Sequence, residues 1–362
     1  MPLISPGTSE ADRLSERAAR ARVPLYGALE LTWRCNFRCV HCYQEGLRDR
    51  HRELSTAEWK ALLSELSALG CLFVTFTGGE ALLRPDFAEI YAHAVDLGFL
   101  PTVFTNGSLV TDEILSLWDR RPPKKIEVTL YGASDLRYAE VTGRGVAFAP
   151  VLAALDALLA RGHWVELKAP AMRPLLGDLP AMREIARVRG LELRTDGHLF
   201  PRLDGDRAPL VHRLSAEELV ALQRDQPAFG EQLDACFGGA PPDLGDAVYR
   251  CGAASNAFNV DPSGQLQPCA ISRGLSVDAR ELGAAAAWEA LRGEAERLDP
   301  GEGESCGACE VRGGCSRCPG LSWMEGGAVE RPVAFHCDAT ATKLKILGRE
   351  PPARGLFARQ VA

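Results

Sequence analysis

The chain has 362 residues, 46% of them hydrophobic and 25% charged, with a formal net charge of -7. That composition suits one large packed domain with a smaller one and argues against disorder. It offers no concentrated basic block for nucleic acid and no apolar run of membrane-spanning length. The opening stretch MPLISPGTSEADRLSERAARARVPL is broken by charges and lacks the apolar core of a secretory signal, so the chain is read as cytoplasmic. Thiols stay reduced there, and the twelve cysteines need a reason other than disulfides, metal being the leading one.

Residues 1–24 form an N-terminal extension. From Leu25 short β-favouring runs alternate with helical patterns, the signature of repeated βα units around a parallel sheet. Six strands are predicted, in LYGALELTW, CLFVTFTGG, LPTVFTNG, KIEVTLYG, HWVELKAP and LELRTDG. Between the first two, LSTAEWKALLSELSALGC predicts a helix: Ser55 and Glu58 fit a capping box, Leu62, Leu63, Leu66 and Leu69 keep one stripe, and Gly70 stops it. FAPVLAALDALLARG repeats that logic up to Gly162. The expected fold is α/β, a partial (β/α)6 barrel over 25–199, about three quarters of the eight-unit closed form, with chemistry on the loops at the C-terminal strand ends.

After Asp196 the alternation stops. Residues 200–250 read as a bridging segment with one short helix opened by Ser215 and Glu218, followed by the linker GGAPPDLGD. A cysteine-rich domain is expected over 251–345, entered by AFNVDPSGQLQPC as a hairpin turning at DPSG, with LGAAAAWEAL as a helix and 346–362 as a tail.

The cysteines fall into two regions. CNFRCVHC sets Cys35, Cys39 and Cys42 on the loop after the first strand, while Cys251, Cys269, Cys306, Cys309, Cys315, Cys318 and Cys337 crowd the last third. Only Cys71 and Cys236 lie apart, Cys71 reading as a small buried residue. A structural zinc wants four ligands, whereas an iron–sulfur cube held by three thiolates leaves one iron open.

CNFRCVHC resembles the C-x3-C-x2-C loop of the radical S-adenosylmethionine (radical SAM) superfamily, with His41 at a position that is usually aromatic. TFTGGE at the second strand end and FTNG at the third strengthen the likeness; GGE alone would pass for a tight turn. The resemblance implies a 4Fe-4S cluster on Cys35, Cys39 and Cys42 whose open iron binds SAM, and an electron from it that releases a 5'-deoxyadenosyl radical. By position, Gly78, Gly79 and Glu80 receive the SAM ammonium, Asn106 and Thr129 contact ribose or carboxylate, and Tyr43 packs near the adenine. Glycines permit close backbone approach and a carboxylate accepts from a cation.

The C-terminal region resembles the SPASM extension of these enzymes, which carries two auxiliary iron–sulfur clusters, although two C-x2-C pairs taken alone would favour zinc. Gly264, with four residues between it and Cys269, fits that pattern. The likeness implies an outer cluster on Cys306, Cys309, Cys315 and Cys337 and an inner one on Cys251, Cys269 and Cys318. Two departures stand out: the gap from Cys315 to Cys318 is one residue shorter than usual, and no cysteine follows Cys251 closely. The inner cluster is left with an open iron, Cys236, or a non-cysteine ligand.

The function implied is radical SAM modification of a ribosomally made peptide by oxidative crosslinking, thioether formation or epimerisation. Tailoring of a small molecule or tetrapyrrole, and a non-catalytic zinc scaffold, are the alternatives. About two dozen residues before the first strand are too few for a leader-binding domain, so a separate leader-binding protein or direct barrel recognition is expected, with a flavodoxin or ferredoxin as electron donor. Lys168 and Arg194 end strands and could face the cavity, and Trp33 reads as core or cavity wall. No general base stands out, since Asp261, Glu166 and Tyr131 fit ordinary structural positions.

Overall fold

A computed structural model describes residues 9–47, 52–226, 229–237, 247–299, 301, 305–315 and 317–352. All six expected strands form: β1 (Tyr26–Glu30), β2 (Phe73–Thr77), β3 (Leu100–Thr105), β4 (Lys125–Thr129), β5 (Val165–Pro170) and β6 (Leu193–Asp196). Each pairs in parallel with the next, and the sheet stays open beyond β6, a partial barrel. Side chains alternate along a strand, so Leu29, Val74, Phe76, Val103, Ile126, Val128 and Leu167 meet the helices in one core with Leu62, Leu66, Ile90 and Leu155. Glu127, Lys168 and Arg194 fall on the opposite, concave face, where they join in ion pairs.

The helix Thr56–Ala68 has its capping box on Ser55 and Glu58, and Gly70 follows it at a φ of +86°. The helix Phe148–Ala160 likewise ends before Gly162, and Ser215 with Glu218 caps Ala216–Arg224. These local signals need only a few neighbouring residues to act.

The DPSG hairpin joins β7 (Ala257–Val260) to β8 (Gln265–Gln267), and a short β9 (Val277–Asp278) adds to its edge. β7 pairs in parallel with β1, Tyr26 opposite Ala257 and Leu29 opposite Val260, so the hairpin continues the barrel sheet. One nine-stranded sheet, ordered β6-β5-β4-β3-β2-β1-β7-β8-β9, therefore connects the two cysteine regions.

Within the N-terminal extension Glu10–Arg20 is a helix with its own capping box, an element the charge-rich sequence conceals. It is fastened to the hairpin side: Asn256 Nδ2 donates to the Ser15 carbonyl at 2.8 Å, and Trp288 Nε1 to the Arg22 carbonyl at 2.7 Å. The linker GGAPPDLGD lies outside the described residues. The helices Ala284–Glu296, Pro319–Gly326 and Ala334–Ile346 complete the C-terminal part. Among the described residues no helix is long and apolar enough to cross a membrane.

Candidate functional site

The loop bearing Cys35, Cys39 and Cys42 leaves the C-terminal end of β1 and is held by backbone on both sides. The Gly79 N–H donates to the Thr32 carbonyl at 2.8 Å and the Glu80 N–H to the Arg34 carbonyl at 2.9 Å. On the far side Arg38 and Val40 donate to the carbonyls of Thr142 and Val141 at 2.9 and 3.0 Å. A Cβ on Gly79 would stand 2.2 Å from the Arg34 carbonyl oxygen, and one on Gly78, at a φ of +123°, would stand 2.5 Å from that of Thr32. The glycines thus serve first to let the end of β2 lie against the cysteine loop.

Glu80 is fully buried, and its carboxylate accepts from Thr105 Oγ1 at 2.9 Å, Asn106 N at 2.7 Å and Leu82 N at 3.2 Å. Burial pushes its carboxyl up to about 7. Most of its accepting capacity therefore ties β2 to β3, leaving little for an incoming cation. Asn106 Nδ2 donates to Asn36 Oδ1 at 2.9 Å beside Cys35, and its Oδ1 accepts from Ser108, so it braces the cysteine loop directly.

Thr129 ends β4 with its hydroxyl near Tyr131, whose phenol lies close to the three thiols. Burial first, and then Cys39, Cys35 and Cys42, raise the Tyr131 phenol well above its ordinary value. Its ring packs at 6.0 Å from Phe37 and 5.7 Å from His41. Burial, with His212 adding to it, lowers His41 to about 4, and a neutral imidazole thus takes the aromatic position. Its Nδ1 is buried without a partner among the described residues. Tyr131 belongs to the site on geometry, and the only sequence signal was its place just beyond a strand end.

Tyr43 lies between the two cysteine regions, near both Cys42 and Cys269, with its ring edge-on to Phe200 at 6.2 Å. Beside it sits an ion pair that sequence reasoning missed. Arg273 Nη2 donates to both carboxylate oxygens of the fully buried Glu30, at 2.9 and 2.8 Å, and its guanidinium stacks 4.9 Å over Trp33. Asp261 joins at 3.4 Å from Arg273 Nη1, a structural use of that carboxylate. The signal was a lone carboxylate at the end of an otherwise apolar strand.

On the concave face Lys125, Lys168 and Arg194 surround Glu127 at 2.8, 3.2 and 2.7 Å, with Lys168 Nζ 3.3 Å over the Phe104 ring. Lys168 and Arg194 therefore do face the barrel interior, both paired to Glu127, with Arg194 also 3.8 Å from Glu166. A cavity of about 320 Å³ lies lower in the barrel, lined by Tyr26, Phe73, Thr75, Phe258, Cys251 and Cys269.

The C-terminal thiols gather in two sets. Burial and then neighbouring Cys315, Cys306 and Cys309 push Cys337 up to about 12. Burial and then Cys318 and Cys251 do the same to Cys269, also to about 12. Cys236 stands near Cys315 and Lys343, with the first set rather than the second. Cys71 is buried, 5% exposed, as a small core residue. Among the described residues no three Cys, His, Asp or Glu side chains converge as a single-ion site requires. Neighbouring cysteines without disulfides are the donor type that iron–sulfur clusters use, with thiolate ligands on several irons.

Residues 29–172 match the radical SAM superfamily model. Among curated proteins, the PqqA peptide cyclase of Bradyrhizobium diazoefficiens is 28% identical over 364 residues, covering 91% of this chain and 90% of its own. The mycofactocin maturase MftC of Mycobacterium tuberculosis is 28% identical over 328 residues, covering 85% and 82%. Among solved structures, Streptococcus suis SuiB bound to its precursor peptide SuiA superposes with a TM-score of 0.69 at 13% identity, covering 91% of this chain and 83% of that one. The cysteine loop, the open parallel barrel and these matches agree: residues 29–172 form a radical SAM superfamily domain, of a family that works with S-adenosylmethionine and a 4Fe-4S cluster.

Proposed function

We propose that this enzyme modifies a ribosomally made peptide by oxidative radical chemistry, with Cys35, Cys39 and Cys42 holding the SAM-binding cluster. The observation that carries the reading is the fastening of the three-thiol loop to the Gly78–Gly79–Glu80 turn through the 2.8 and 2.9 Å backbone bonds. Peptide as substrate class is supported by relatives that are a peptide cyclase and a maturase, matched along most of both chains. When bound, SAM and the cluster supply a 5'-deoxyadenosyl radical that takes a hydrogen atom from substrate.

The chain's own residues then have distinct tasks. Gly78 and Gly79 bring the end of β2 against the loop so that backbone carbonyls reach a SAM ammonium, and Glu80 fixes that turn from below. Asn106 and Thr129 offer polar contacts at the neighbouring strand ends, while Tyr131, Phe37 and His41 exclude water on one side. Tyr43 stands between the SAM end and Cys269 rather than far from both, so its adenine contact shares space with the Glu30–Arg273 pair.

Cys306, Cys309, Cys315 and Cys337 would hold an outer auxiliary cluster, and Cys251, Cys269 and Cys318 an inner one. The neighbourhood of Cys236 and Cys315 argues against Cys236 as the inner cluster's fourth ligand. A flavodoxin or ferredoxin would deliver the electron, and the peptide would be read by a separate leader-binding protein or by the barrel itself.

The test is high-resolution mass spectrometry of a short peptide encoded beside the gene and coexpressed with the enzyme under low oxygen. A Cys39-dependent loss of two hydrogens is the expected result. An unchanged peptide moves the reading to a small-molecule substrate, and deuterium uptake from heavy water at an α-carbon means epimerisation.

A further inference from the structure

The concave side of the barrel carries an acid–base pair that none of the sequence motifs uses. Arg194 and Asp196 face the same way along β6, and the 2.7 Å bond from Arg194 to Glu127 on β4 identifies that side as the concave one. Asp196 ends the strand, and its Oδ1 accepts from the His198 ring at Nδ1, 2.7 Å away, and from the His198 backbone N–H at 2.9 Å. The backbone bond alone is ordinary turn chemistry. The ring bond is a second, independent commitment of the same carboxylate.

His198 opens the segment that crosses from β6 to the cysteine loop. Two residues on, Phe200 packs against Tyr43, and the Leu203 N–H donates to the Tyr43 carbonyl at 2.8 Å. The pair thus stands at the C-terminal mouth of the barrel, on the strap tied to the residue that follows Cys42. The helix Ala334–Ile346 closes its other side, with the His336 ring 5.6 Å and the Phe335 ring 6.5 Å from that of His198. Arg213 lies over Phe335 and is itself paired with Glu325 at 2.6 Å. The His198 side chain remains 29% exposed, and among the described residues no group bonds its Nε2.

An ionised carboxylate only accepts hydrogen bonds, so in the neutral form of the ring Nδ1 carries the proton and Nε2 is the acceptor. The Asp196 side chain is itself 68% exposed, and the contacts with His198 hold its carboxyl at about 2, ionised at neutral pH. This is the arrangement by which a carboxylate fixes a histidine tautomer and stabilises the imidazolium it becomes.

We propose that His198, oriented by Asp196, is the general base of the oxidative reaction. This rests on the reading of the chain as a peptide-modifying oxidative enzyme. Of the two hydrogens the peptide loses, one leaves as an atom through the radical chemistry at the cysteine loop. The other leaves as a proton to His198 Nε2, its electron passing to an iron–sulfur acceptor, and the two peptide atoms that lost them become bonded to each other.

The test uses the anaerobically reconstituted holoenzyme and the coexpressed peptide of the preceding section as probe. His198→Gln is expected to lower crosslinked product about 100-fold, the usual scale for losing a general base, and His198→Gly to regain part of it when imidazole is added to the buffer. Diethylpyrocarbonate should label His198 in the wild-type protein, as located by peptide mapping, and the probe peptide should slow that labelling. Wild-type product levels in both variants, or labelling that the peptide does not slow, would overturn the base. Failure of the wild-type enzyme to change the peptide at all would instead remove the peptide reading on which the base depends.

Discussion

The two cysteine regions are built differently. The Cys35–Cys42 loop is bound by main-chain hydrogen bonds to the end of β2 on one side and to Val141 and Thr142 on the other, and it packs Phe37 into the principal core. Of the thiols of 306–337, Cys309 and Cys315 sit on short turns, with Cys315 N donating to the Val311 carbonyl at 3.1 Å, Cys306 N reaches across to the Glu330 carbonyl at 3.1 Å, and Cys337 stands on the helix Ala334–Ile346. Their apolar support is a pair of satellite clusters, Cys337 with Ala341 and Leu233 with Phe237 and Leu344. A site shaped by a sheet can exist before its cofactor binds; one shaped by turns borrows its order from the metal.

The largest expected effect follows from that contrast. Removing iron with a chelator should abolish hydrogen-exchange protection through 305–340 while β1 to β5 keep theirs. Uniform loss across both regions would erase the distinction.

Arg273 is a buried tie between them, since it reaches from the loop after β8 to Glu30 at the end of β1. Arg273→Met leaves a buried carboxylate unpaired and should lower unfolding free energy by about 3 kcal/mol in denaturant titration. A loss below about 1 kcal/mol would mean that the β1–β7 ladder alone joins the regions.

Gly79→Ala sharpens the first half of the contrast. Its new Cβ meets the Arg34 carbonyl, a backbone atom that can move only with the cysteine loop. The expected cost is about 100-fold in the rate of 5'-deoxyadenosine formation, the scale of a displacement near 1 Å. An unaffected rate would show the loop to be pliable.

The smallest effect concerns pH. Burial raises the Glu80 carboxyl to about 7, against about 4.3 in an unfolded chain. A raised carboxyl contributes stability that is fully present below the unfolded value and is lost as pH climbs through the folded one. Between pH 5.5 and 7 that loss is about 2 kcal/mol, and Glu80→Gln should remove this slope. A variant as pH-dependent as the wild type would assign the slope to other groups.

What could be read from the sequence was local. The strands, the Ser55 and Ser215 capping boxes, the DPSG turn and the three-thiol loop each depend on residues within a few positions of one another. The pairing of β7 with β1 joins residues more than 200 positions apart through strands only four or five residues long, and no periodicity announces it. The Glu30–Arg273 pair is hidden for the same reason, with 243 positions between its partners. Asp196 and His198 are two apart, yet a D-x-H triplet carries no meaning until the strap carries it over the barrel mouth. The place of Glu80 at the end of β2 was legible, but its bonds to Thr105 and Asn106 at the end of the neighbouring strand were not.

The most direct measurement of the central claim compares Cys39→Ala with Cys318→Ala in the reconstituted enzyme, following 5'-deoxyadenosine and modified peptide together. If the sheet-held loop cleaves SAM and the turn-held thiols act afterwards, Cys39→Ala yields neither, whereas Cys318→Ala yields 5'-deoxyadenosine without modified peptide. Continued SAM cleavage in Cys39→Ala, or full product from Cys318→Ala, would contradict that division of labour.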